Sequence, residues 1–183
     1  MSKASDTKAR IVAAAEEVVL RDGVGRLTLE ATAHQAGLSK GGVLYHFASR
    51  DALVAGMVDR IIEEFDRDLD RAIGDDTSPG AFTRAYLGST LAPGGRERDR
   101  EDRLGAALIA AAAAQPELMQ PLRAAFDRWQ ARLEDDGIGP ARATAVRLAA
   151  DGLWLSGLFG LAVPAPGLRA ALAAELEALA EPS

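Results

Sequence analysis

The 183-residue sequence predicts an all-α fold in which three short N-terminal helices precede a larger helical bundle. Three observations carry that prediction. Apolar residues recur at the 3.6-residue spacing of helices, and no segment alternates apolar and polar residues as a half-buried strand does. Breakers punctuate the chain at "GDDTSPG" (74–80), "APGG" (92–95), Pro116, "DGIGP" (136–140) and "PAPG" (164–167). Hydrophobic residues make up 48% and charged residues 26%, enough apolar material for a packed core.

Taken in order, Ile11, Ala14, Ala15, Val18 and Val19 form one stripe of a first helix, capped by Asp6 or Thr7 and stopped near Gly23. A short second helix starts at Thr28, whose hydroxyl can cap it, and ends at Gly37. Ser39 opens a third, with Val43, Leu44 and Phe47 as its buried contacts. Ser49 caps a long fourth helix, from Asp51 to about Ile73, with Leu53, Met57, Ile61 and Phe65 on one face. Further helices are expected over 80–92, 101–115, 116–136, 140–162 and 168–180. The alanine tract 110–114 reads as a closely packed helix and not as a linker.

The composition removes several functions. Without cysteine there are no disulfides, no thiol catalysis and no zinc site built on sulfur. The opening "MSKASDTKAR" lacks the apolar core of a signal peptide. The longest uncharged run, residues 152–168, is short for a membrane span and is broken by Pro164 and Pro166. A soluble, cytoplasmic protein is expected, with no membrane partner. Arginine outnumbers lysine eighteen to three, which points to a GC-rich bacterial genome.

Net charge is −6, unfavourable for a nucleic-acid partner if it were evenly spread. It is not: residues 1–50 carry seven Lys/Arg and five Asp/Glu, and residues 51–183 carry fourteen and twenty-two. All three lysines, Lys3, Lys8 and Lys40, lie in the first segment.

The stretch "AGLSKGGVLYHF" (36–47) sharpens that asymmetry. Gly41 and Gly42 stand in the first turn of the third helix, where each glycine costs about 1 kcal/mol relative to alanine. Taken alone such a pair is most often a loop. In a helix-turn-helix, however, the second helix of the pair enters the major groove, and a bare first turn brings its unpaired N–H groups close to the phosphate backbone. Lys40 can reach a phosphate or a guanine edge, and Tyr45 and His46 carry polar tips suited to backbone contacts. Thr28 caps the supporting helix, where the helix dipole can meet a phosphate.

The ordered set over residues 9–57 resembles the TetR family of bacterial transcriptional repressors. The residues that carry the resemblance are an alanine-rich first helix, Gly23, Thr28, Ala36 to Gly41, Leu44 to Phe47 and Arg50 to Leu53. Four positions depart from the family pattern. Thr32 replaces a bulky aliphatic residue, and as a buried threonine it can bond back to a carbonyl. Gly42 replaces a small side chain able to touch a base, Ala48 a proline and Arg50 a lysine. The resemblance implies DNA contacts from Thr28, Ser39, Lys40, Gly41, Gly42, Tyr45, His46 and Arg50.

Beyond residue 57 the resemblance weakens. It implies a helix-turn-helix DNA-binding domain over residues 1–66 and a ligand-binding and dimerisation domain over residues 67–183. The sequence allows a homodimer through the last two long helices. Ala149, Gly152, Ser156, Gly157 and Gly160 are small enough to admit a partner helix, beside an apolar stripe of Leu168, Leu172, Leu176 and Leu179. Candidates to line an effector pocket are Met57, Ile61, Phe82, Tyr86, Met119, Phe126, Trp129 and Trp154. Asp151 could meet a cationic ligand, but pairing with Arg147 one turn earlier is favoured. "GGRERDREDR" (94–103), with four arginines and four acids, reads as a solvated loop entering a helix.

An enzyme finds no support. The only histidines, His34 and His46, fall in the proposed DNA module, no serine has a nearby base, and no carboxylates cluster with metal-ligand spacing. No cofactor and no metal are expected. The expectation is a homodimeric, effector-released repressor on a near-palindromic operator. The rival is a helical interaction protein with a vestigial DNA-binding domain.

Overall fold

The computed structural model describes residues 3–92, 96–113 and 115–182. Among these residues the chain forms nine α-helices and two short 3-10 turns, with no strand. They fall into two compact units, each drawn from two stretches of chain: 1–62 with 95–123, and 63–94 with 124–183.

In the first unit, α1 (Lys3–Asp22) begins a turn earlier than expected. Asp6 and Thr7 lie inside it, and Asp6 sits in its first turn, where a negative charge complements the helix dipole. Gly23 stops the helix at a φ of 83°, its N–H donating to the Val19 carbonyl at 2.9 Å. A 3-10 turn (Val24–Arg26) leads to α2 (Leu29–Ala36), capped by the Thr28 hydroxyl, which accepts from the Ala31 N–H at 3.0 Å, and closed by left-handed Gly37. The third helix, α3 (Lys40–His46), is capped by the Ser39 hydroxyl, which accepts from the Gly42 N–H at 3.1 Å. Ser49 caps α4 (Arg50–Ile73) in the same way through the Ala52 N–H. The three caps expected at Thr28, Ser39 and Ser49 are present.

Val43 and Phe47, one turn apart, fix α3 against the rest of the unit. The Phe47 ring lies so close to α4 that a Cβ at Gly56 would come within 2.7 Å of it. Leu44 does not join them and remains 41% exposed. Its position follows from the wheel: with Val43 and Phe47 turned inward, the next residue is rotated about 100° away.

The charged stretch before residue 104 is not a loop. Helix α6 (Arg96–Ala113) begins within it, while residues 93–95 of the "APGG" break lie outside the described residues. It packs on α1, where Glu16 is only 2% exposed. Arg60 of α4 lies 3.5 Å from the Glu16 carboxylate and Arg100 of α6 4.0 Å from it; Arg100 also donates to Glu17 at 2.7 Å. A buried carboxylate needs cations beside it, and α6 supplies one of them. The alanine tract is helical to Ala113, Ala114 lying outside the described residues. Instead of one helix over 116–136, a 3-10 turn (Pro116–Met119) precedes α7 (Gln120–Glu134).

Thr32 is fully buried, and its hydroxyl, expected to bond back to a carbonyl, has no hydrogen-bond partner among the described residues. An unsatisfied buried hydroxyl costs about 1–3 kcal/mol. Thr32→Val keeps the shape and removes the polar group, so it is expected to stabilise the chain by about 1 kcal/mol, read as a raised urea midpoint. A lowered midpoint would show that the hydroxyl is bonded.

The second unit contains α5 (Ala81–Leu91), α8 (Pro140–Phe159), α9 (Pro166–Ala180), the end of α4 and most of α7. Leu87, Val146, Ala150 and Leu176 form a core between α5, α8 and α9. Leu176 is thus internal and does not join an outward stripe. The first turn of α5 is closed from far along the chain. Gly80 supplies no cap of its own, and the Asp136 carboxylate accepts from the Phe82 and Thr83 N–H groups at 3.1 and 2.7 Å and from the Thr83 hydroxyl at 2.6 Å. Arg84 ties the preceding turn to the end of α9, donating to the Pro79 and Ala180 carbonyls and to Asp76. Hydrogen bonds from Ser78, and then Arg84, hold the Asp76 carboxyl down at about 2. Among the described residues no helix is long and apolar enough to cross a membrane: the uncharged run 152–168 is divided between α8, left-handed Gly160 and α9.

Candidate nucleic-acid interface

The first turns of α2 and α3 are neighbours, joined by an ion pair between Glu30 and Lys40. The caps, Thr28 and Ser39, stand at these turns, and each helix N-terminus has further N–H groups without an intrahelical partner. Lys40 is more than half exposed and pairs with Glu30, whose carboxyl it keeps below the usual range. Tyr45 is 84% exposed, with its ring edge-on to His46 at 5.1 Å between centroids. Arg50 is turned partly inward, donating to the Val24 carbonyl at 3.1 Å and lying 3.6 Å from Asp51. Lys8 of α1 lies over the Phe47 ring, 5.8 Å from its centroid.

The two glycines stand on a formed helix. A Cβ at Gly41 would meet only the Ser39 hydroxyl, at 3.9 Å, and one at Gly42 the same hydroxyl at 3.4 Å and Leu38 at 3.9 Å. Neither backbone lies in the left-handed region. Among the described residues, packing gives no reason for glycine at 41, a poor helix former. Glu30 and exposed Leu44 are the members of this surface that sequence reasoning missed. Leu44 was recoverable from the helical wheel, whereas the Glu30–Lys40 pairing joins two helices and leaves no local signal.

Two family models match the chain. Residues 11–57 match the bacterial regulatory proteins of the tetR family, and residues 80–181 match the tetracyclin repressor-like C-terminal domain. The chain is a TetR-family transcriptional regulator. The family has no enzymatic activity, and its helix-turn-helix binds DNA. The HTH-type transcriptional regulator TtgR of Pseudomonas putida is 36% identical over 64 residues, which are 35% of this chain and only 30% of that protein. A transcriptional regulator from Rhodococcus sp. Rha1 shares the fold at a TM-score of 0.73 and 24% identity, over 94% of this chain and 93% of that one. The multidrug binding protein EbrR, solved with ethidium, aligns at a TM-score of 0.69 and 25% identity over 94% and 98% of the two chains.

The regulator's other candidate residues divide between its units. Met57, Ile61 and Met119 belong to the first, Met57 fully buried. Phe82, Tyr86, Phe126, Trp129 and Trp154 belong to the second. There Tyr86, Phe126 and Trp129 form one aromatic group with Phe65, a residue sequence reasoning had placed only on the helix face. The Phe65 ring lies 4.9 Å from Trp129 and 5.5 Å from Tyr86. The Trp129 indole donates to Asp66 at 2.6 Å. Asp151 pairs with Arg147 at 2.8 Å, as favoured, and also accepts from the Tyr86 hydroxyl at 2.8 Å. Burial pushes the Asp151 carboxyl and the Tyr86 hydroxyl upward. On α8 and α9, Leu148, Leu155, Phe159, Leu168 and Leu179 are exposed, and Gly152 and Gly157 face open space. Among the described residues no group of three His, Asp or Glu is placed to hold a metal ion.

Proposed function

We propose that this regulator is a homodimeric, effector-released repressor that places α3 of each subunit on a half-site of a near-palindromic operator. The observation that carries the reading is the bare first turn of α3: two glycines on a formed helix, with no packing among the described residues to explain Gly41. Ser39, Lys40, Gly41, Gly42, Tyr45 and His46, with Thr28 at the start of α2, position the helix on phosphates. Arg50 supports them from its bond to Val24. Residues 1–66 act as the DNA-binding part and 67–183 as the part for ligand and dimerisation, in the cytoplasm of a bacterium.

The dimer forms through α8 and α9. Leu148, Gly152, Leu155 and Phe159 recur at intervals of four, three and four residues, one stripe of large apolar groups with a bare position inside it. Monomers seldom leave such a stripe in water. The effector is a small molecule met by the aromatic residues of the second unit, Phe82, Tyr86, Phe126, Trp129 and Trp154. Arg147 already neutralises Asp151, so the polar group does not single out a cation. EbrR, which is bound to ethidium in its crystal structure, supports an aromatic effector class. Binding tilts α4 and changes the separation of the two reading helices, to the extent that the effector prefers the non-binding state.

The test is selection of duplexes from a random pool by the purified protein, followed by affinity measurements at several salt concentrations with unrelated competitor. Competitor-resistant binding by a dimer is expected, and Lys40→Ala should flatten the slope of log affinity against log salt by about one unit. An unchanged slope removes Lys40 from the phosphate contacts, and failure to select any sequence favours the partner-binding rival.

A further inference from the structure

The exposed face of α3 consists of Lys40, Gly41, Leu44 and Tyr45, continuing to Ala48 beyond the helix. All but one of its helical members have an account in phosphate contact or close approach. Leu44 does not: it is aliphatic, 41% exposed, and lies one turn beyond Lys40 on the same side. A single exposed leucine is ordinary elsewhere on a protein. Here it stands in the middle of the helix assigned to the major groove, two residues after Gly42 and three after Gly41.

We propose that Leu44 reads thymine, by packing its isobutyl group against a pyrimidine 5-methyl group in the major groove. The inference rests on the DNA-reading assignment of α3 and names what that helix recognises. Among the groups on base edges in the major groove, the thymine methyl is the apolar one. Gly42 has no side chain to touch a base, so reading falls to side chains elsewhere on the helix, of which Leu44 is the exposed aliphatic one. Gly41, three residues before Leu44 on the same face, leaves room for the helix to sit deep enough for that contact. The patch also fits this occupant by size. One leucine between a lysine and a tyrosine is far smaller than the roughly 800 Å² per partner that a protein interface covers, whereas a thymine methyl is a single group.

The experiment takes a duplex selected from a random pool and replaces its thymines by deoxyuridine one at a time, which removes only the methyl. Binding of the wild type, Leu44→Ala and Leu44→Met is measured by fluorescence anisotropy, with circular dichroism as a check on folding. At one or more positions in each half-site the replacement should weaken the wild type about fourfold, the size expected for one buried methyl. Leu44→Ala should lose that sensitivity while keeping the wild-type salt slope, and Leu44→Met should retain it. Equal sensitivity in wild type and Leu44→Ala, or none in either, overturns the thymine assignment and leaves DNA binding standing. If the wild type selects no sequence, the DNA-reading assignment falls with it.

Discussion

Gly41→Leu is expected to abolish operator binding while leaving the fold intact and slightly more stable. The two effects come from one fact: space is open where the side chain would be, and the backbone is ordinary helix. In the free protein, leucine replaces a residue that costs a helix up to about 1 kcal/mol, so melting should rise by about 2–4 °C. On DNA the same side chain stands between the first turn of α3 and the phosphates, and separates N–H groups from oxygens that must lie within about 3 Å. Loss of more than a hundredfold in affinity, with unchanged circular dichroism, is the expected pattern. Gly41→Ala should lie between. Normal binding by the leucine variant would leave the bare turn without a purpose.

Gly80→Ala should produce the largest loss of stability. Gly80 lies at a φ of 85°, in the left-handed region, and an added Cβ would stand well under 3.0 Å from the Ala180 carbonyl oxygen. That atom belongs to the backbone at the end of α9, and Arg84 holds it at 3.2 Å. Relief would require moving α9 or the N-terminus of α5, where the Gly80 N–H also donates to the Asp136 carbonyl at 2.7 Å. Left-handed alanine costs about 1–2 kcal/mol, and the clash adds to it. A loss of about 4 kcal/mol is expected from urea denaturation, a large share of ordinary domain stability. Gly88→Ala, eight residues on in the interior of α5 with open space around it, serves as the control and should stabilise. If both variants melted alike, the close approach of α5 and α9 would be wrong.

What could be read from the sequence was local. The caps at Thr28, Ser39 and Ser49 and the left-handed stop at Gly37 follow from a side chain or a backbone preference within four residues. The Asp151–Arg147 pair was legible for the same reason, being one helical turn apart. Features that depend on distant chain were not. Nothing near residue 80 announces that Asp136 will cap α5, or that "RERDRED" will continue as helix because Arg100 has a buried glutamate to meet. Thr32 was misread because bonding back to its own helix is only one of the fates open to a buried hydroxyl. In the candidate site, the residue types and their order were legible. The Glu30–Lys40 pair and the exposure of Leu44 depended on how α2 and α3 meet and turn.

The position of α6 bears on how such regulators can be recombined. α1 and α6 pack together although α6 begins 74 residues after α1 ends, and Glu16 is buried with Arg60 and Arg100 beside it. A fragment cut after α4 keeps the helices that read DNA but strips Arg100 and the rest of α6 from α1. A hybrid made by one crossover at that point supplies a foreign α6 whose charges were fitted to another first helix. The reading head of this regulator is not a cassette: transplanting it requires two segments of chain, exchanged together.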